Sequence, residues 1–215
     1  GERNKKYISE IQHVRRRETI AKTPANSLVA LKNFIDQSPI DLPSKRSANL
    51  TSLQQLIAEI TGSNIPPVIG SSGLSIQYAI SMGIIHDAME NHPNSAIKLV
   101  IPPNCYGGTN DQARRVAACL DKVEVLDLPV DGDADMVKSI DLILDTIALE
   151  GAVPVIIVEI PTNPRVEVPD LNQLQYVLEK KRHDKNGNLA IDPIFVLDQT
   201  FCPNVKFLGD EDSLS

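Results

Sequence analysis

From about residue 51 onward the chain alternates between two hydrophobic patterns. Leu53, Leu56, Ile57 and Ile60 recur at helical spacing and predict a helix over 52–60, with Gly62 as its stop. Further helices are predicted over about 74–90, 109–120, 136–149 and 170–182. Between them lie short apolar runs at 97–101, 123–128, 153–160 and 194–197. The third run is strongly β-branched and bounded by prolines, as befits a buried strand. Strands alternating with helices of this length predict βαβ units and an α/β fold with a mostly parallel sheet. Near-continuous apolar strands predict helices on both faces of that sheet.

Residues 1–50 read differently. They carry charged, helix-prone stretches at about 5–20 and 26–37, then breaks at Ser38-Pro39 and Leu42-Pro43, with no strand pattern. The expected organisation is an N-terminal helical arm or linker over 1–50 and one α/β domain over 51–215.

Composition narrows the function. The chain is 42% hydrophobic over 215 residues, enough for one core. Its net charge of −7 opposes binding to nucleic acid or an anionic membrane. Arg15-Arg16-Arg17 is a local exception and reads as a solvated face. Cys105, Cys119 and Cys202 are odd in number and widely spaced. They fit neither a disulfide framework nor a structural zinc site, so a reducing, cytoplasmic setting is expected and no metal. No apolar run reaches the roughly 18 residues of a spanning helix.

In parallel sheets, ligands bind beyond the carboxyl ends of the strands, so the residues just after each run carry the chemistry. Gly70-Ser71-Ser72-Gly73-Leu74-Ser75 leads into a helix. Small residues, hydroxyls and helix N-terminal amides suit a phosphate, and equally an ordinary turn with an N-cap. Tyr106-Gly107-Gly108-Thr109 follows the next run and offers an aromatic face to a planar ligand, or simply a tyrosine on a rim. Pro161-Thr162-Asn163-Pro164 holds a side-chain amide between two prolines. Asp198-Gln199-Thr200-Phe201 closes the last apolar run with a carboxylate, which either caps a loop or meets a cation.

The order of these four segments resembles that of the Cys/Met-metabolism family of pyridoxal 5'-phosphate (PLP) enzymes, over about residues 44–208. The family includes cystathionine synthases and lyases, methionine γ-lyase and homoserine sulfhydrylases. The resemblance implies the large cofactor-binding domain of an aminotransferase-like fold. It implies that Ser72, Gly73 and Leu74 hold the cofactor phosphate, and that Tyr106 stacks on the ring and serves as the catalytic proton carrier. It further implies that Asn163 reaches the ring oxygen, that Asp198 pairs with the ring nitrogen, and that Thr200 supports Asp198. The family's arm motif corresponds to Ser44–Thr51 and gives Arg46 as a further phosphate ligand.

Two departures qualify the resemblance. Ser44 and Leu50 replace the arm's tyrosine and proline, which weakens the case for standard γ-elimination or γ-replacement. In the family the cofactor-linking lysine follows the Asp at a distance that would fall past Ser215, and Lys206, the only lysine after Asp198, is too close and has the wrong neighbours. The expectation is a chain cut before that lysine, inactive alone. Its parent would be a PLP-dependent lyase or transferase acting on sulfur-containing or O-acylated amino acids as a homodimer or homotetramer. The competing expectation is a non-catalytic family member serving as an interaction or regulatory domain.

Overall fold

A computed structural model describes residues 24–36, 46–130 and 135–206 of the chain. Two helices come first, α1 (Pro24–Asp36) and α2 (Arg46–Thr61). They are followed by α3 (Gly73–Asn91), β1 (Ile97–Ile101), α4 (Gly107–Ala118), β2 (Val123–Asp127), α5 (Met136–Glu150), β3 (Val153–Glu159), α6 (Leu171–Glu179) and β4 (Ile194–Asp198). The four strands form one sheet in the order β2-β1-β3-β4, with every neighbouring pair parallel. The α/β architecture read from the sequence is the one observed.

Alternation along each strand builds two cores. Val100, Ile156, Val158 and Ile160 point to one face, where Ile140, Leu144 and Ile147 of α5 and Leu174 and Val177 of α6 cover them. Leu99, Ile101, Val155 and Ile157 point to the other, under Ile85 and Ala88 of α3 and Ala113 and Val116 of α4. β1 and β3 are buried throughout, whereas β4 is only half-buried.

Local chemistry sets the helix ends. Asp135 caps α5 by accepting the Lys138 amide at 3.0 Å, and Asp170 caps α6 by accepting that of Gln173 at 3.0 Å. The predicted helix over 170–182 ends early, at Glu179. Lys180 and Arg182 leave the helix to pair with Asp141 and Asp145 of α5, a tertiary clamp that overrides helix propensity. The helix expected over 109–120 instead begins at Gly107, because the Tyr106 carbonyl accepts the amides of Thr109 and Asn110 at 2.9 and 3.2 Å.

The helix expected over 26–37 appears as α1, and the one over about 5–20 lies outside the described residues. α2 runs unbroken through residue 50, the boundary expected between arm and domain. Among the described residues, no helix is long and apolar enough to cross a membrane.

Candidate active site at the carboxyl ends of the strands

The strand order reverses direction between β1 and β3, since the chain passes from β1 to β2 on one side and then to β3 on the other. Ligands in open parallel sheets settle at such a switch point. The segments after β1 and β3 meet there. The Tyr106 backbone amide donates to Oε1 of Glu159, the last residue of β3, at 2.7 Å. Asp198 is the register partner of Glu159 on β4, so two carboxylates stand side by side at neighbouring strand ends.

The Gly-Ser loop is tied to the same place through α3 and α4. Buried Thr109 donates from Oγ1 to Gln77 at 3.1 Å, and Gln112 Nε2 donates to the Leu74 carbonyl at 3.0 Å. A Cβ on Gly108 would stand 2.6 Å from Cε1 of Tyr106 and 3.0 Å from Cδ2 of Leu74. The Tyr106 ring and the Leu74 side chain therefore converge on one point, which is open only because residue 108 has no side chain.

Ser72 is the N-cap of α3 and forms a reciprocal pair with Ser75. Its Oγ accepts the Ser75 amide at 3.2 Å, and Ser75 Oγ accepts the Ser72 amide at 3.1 Å. Helix geometry leaves the amides of Gly73 and Leu74 without an intrahelical carbonyl. The loop is drawn in tightly at Gly70, whose Cβ would lie 2.5 Å from Ile76 Cγ1.

Asp198 is oriented by Thr200. Its Oδ1 accepts the Thr200 amide at 2.9 Å and the Thr200 hydroxyl at 2.5 Å. Asn163 is half-buried and lines a small hollow with Glu159, Cys105, Asn104 and Thr162. Tyr106 is 41% exposed.

Glu159 is only 8% exposed, and its Oε2 has no hydrogen-bond partner among the described residues. Burial pushes its carboxyl above the ordinary glutamate range. The Tyr106 amide opposes that rise and the charge of Asp198 adds to it. The Cys105 thiol is pushed up to about 12 by burial and by Glu159, which rules it out as a nucleophile at neutral pH.

Of the residues singled out in the sequence, Ser72, Gly73, Leu74, Tyr106, Asn163, Asp198 and Thr200 all lie at this end of the sheet. Arg46 opens α2, but its side chain and the whole of Ser44 lie outside the described residues.

Three solved structures resemble this backbone. MetB from Corynebacterium glutamicum is 20% identical at a TM-score of 0.46, with 69% of this chain and 31% of that one covered. The cystathionine γ-lyase CalE6 from Micromonospora echinospora is 17% identical at 0.49, with 74% and 34% covered. Cystalysin from Treponema denticola, which contains a pyridoxal 5'-phosphate cofactor, is 9% identical at 0.45, with 88% and 47% covered. The chain thus spans from about a third to under half of these structures. No family model matches it, and no curated protein does.

Sequence reading gave no role to Glu159, Gln77 or Gln112. Glu159 carried a usable signal: a carboxylate ending an otherwise apolar, β-branched run must be buried beside whatever ends the next strand. The two glutamines carried none, because they act only through the packing of α3 on α4.

Proposed function

We propose that this chain is the PLP-binding part of a larger Cys/Met-metabolism-like lyase or transferase, with sulfur-containing or O-acylated amino acids as its substrate class. The observation that carries the reading is the convergence of Tyr106 and Leu74 over Gly108, beside the Glu159–Asp198 pair. The reading is supported by an aromatic ring and a helix N-terminus that meet over Gly108, and by a strand-end carboxylate pair tied to the Tyr106 amide. The fit has three parts. The amides of Gly73 and Leu74 and the positive end of α3 suit a phosphate. The partly exposed Tyr106 ring suits a planar ligand. Asp198, held by Thr200 through Oδ1, keeps Oδ2 for a ring nitrogen.

When bound, the cofactor supplies an electron sink for the carbon of an attached amino acid. The chain's own residues do the rest. The α3 terminus anchors the phosphate, and the Tyr106 ring stacks and shields the ring face from water. The Tyr106 hydroxyl carries a proton at the open side. The Asn163 amide meets the ring oxygen, and Asp198 holds the ring nitrogen protonated.

The test is a titration with pyridoxamine 5'-phosphate, whose amine cannot form adducts with surface lysines as PLP does. We expect saturable one-to-one binding, weakened in Asp198→Ala and in Tyr106→Ala. Absence of saturable binding, or equal binding by both variants, overturns the assignment. Leu50, Leu53, Leu56 and Ile60 of α2 are all exposed and favour a second reading, an interaction domain. A chain that binds no cofactor but retains its fold would support that reading.

A further inference from the structure

Glu159 is a buried group at the strand ends whose chemistry the proposed function leaves unused. Its Oε1 is committed to the Tyr106 amide, and its Oε2 is enclosed without a partner. Register pairing in a parallel sheet points Glu159 and Asp198 to the same face from adjacent strands. Thr200 donates twice to Asp198, whereas Glu159 is answered by the backbone amide of Tyr106, with that of Asn163 nearby. Carboxylates on paired residues of adjacent strands repel each other when both are charged, and the more buried of the two is the one whose protonated form gains. The other titratable group acting here is Cys105 after β1, which is neutral. The Asn163 amide after β3 favours charge on Glu159 without reaching Oε2.

We infer that Glu159 holds a proton on Oε2 while Asp198 faces no cation, and gives it up to solvent when a cationic ring nitrogen settles on Asp198. The inference rests on the proposed function for the identity of that cation. The charge of Asp198 is then answered by the ligand, the repulsion that adds to burial in holding the Glu159 proton is lifted, and the O–H bond breaks with its proton passing to solvent. The net charge of the strand ends is thus kept near one negative in both states, and Glu159 stays fixed to Tyr106 throughout. Glu159 is on this view a positioning residue whose proton count reports occupancy of the site.

Two measurements separate this from the cofactor assignment. The first needs no ligand. Carbon NMR of the chain labelled at glutamate side-chain carboxyls, with Glu159 assigned through its loss in Glu159→Gln, gives its titration midpoint. We expect that midpoint above the ordinary glutamate range, moving down in Asp198→Asn, which keeps the Oδ1 acceptor for Thr200. An ordinary midpoint, or one unmoved by Asp198→Asn in a variant with an intact circular dichroism spectrum, overturns the inference. The second is calorimetry of pyridoxamine 5'-phosphate binding in buffers of different ionisation enthalpy. Between the Glu159 midpoints of the bound and the free chain, wild type should release close to one more proton per molecule bound than Glu159→Gln, with affinity rising by up to about tenfold per pH unit. Equal release by the two overturns the inference. If nothing binds while the NMR result holds, the carboxylate pair stands and the cofactor assignment fails.

Discussion

Gly108→Ala separates the site from the fold better than any other single change. The new methyl would stand 2.6 Å from Tyr106 Cε1 and 3.0 and 3.1 Å from the two Leu74 methyls. Relaxed carbon–carbon contact is about 3.5–4.0 Å, so the ring must withdraw by about 1 Å. Tyr106 is 41% exposed and can swing outward, which relieves most of the overlap. Overpacking in a closed core costs about 1–3 kcal/mol, and replacing a helical glycine returns up to about 1 kcal/mol, less in a first turn. The net change in stability should be within about 1 kcal/mol. Loss of ring stacking should remove about 0.5–1.5 kcal/mol from ligand binding, a two- to tenfold drop in affinity. Urea unfolding measures the first quantity and pyridoxamine 5'-phosphate titration the second. Proton NMR of the Tyr106 ring tests the displacement without any ligand. An unshifted ring spectrum, or an affinity equal to wild type, would refute the geometry on which the proposed function rests.

Four further outcomes follow from the same structure. Arg182→Met should cost about 2 kcal/mol by urea unfolding, since it strands the Val177 and Lys180 carbonyls and leaves Asp141 and Asp145 to Lys180 alone. Lys98→Met should change stability by under about 1 kcal/mol, because its partners Glu124 and Glu150 are half-exposed and stay hydrated. Glu159→Gln should alter the pH dependence of stability. The raised native value makes the folded state the stronger proton binder, so wild-type stability is complete below the ordinary glutamate range and declines as pH rises through the Glu159 midpoint; the variant should lack that decline in urea melts. Maleimide labelling at pH 8, read by peptide mass mapping, should modify exposed Cys119 first and buried Cys105 last.

The fold was legible because the central strands, β1 and β3, are buried on both faces. Val153 to Glu159 lies under helices on two sides, so its composition left no alternative to a central parallel strand. The strand ends were legible for the same reason: a polar residue that closes a buried run, such as Asp198, has to face a ligand or a donor. Helix ends were less legible, since Glu179 ends α6 only because Asp141 and Asp145 wait on α5 for Lys180 and Arg182. Nothing local to residues 180–182 records that demand.

The same distinction explains why Tyr106 stood out in the sequence and Glu159 did not. An aromatic before two glycines is conspicuous by its own chemistry. Glu159 matters through a neighbour 39 residues on, which becomes a neighbour only when β3 and β4 pair in one register. A shift by one residue would turn Asp198 to the opposite face and leave Glu159 without the charge that adds to burial in raising its midpoint. The hydrophobic alternation that seats Val158 and Leu197 in one core and Ile157 and Val196 in the other is therefore also what sets the two carboxylates together. Packing in the body of the sheet thereby fixes the electrostatics at its end. A core change that loosened the β3–β4 register should shift the Glu159 midpoint before it altered any residue of the site.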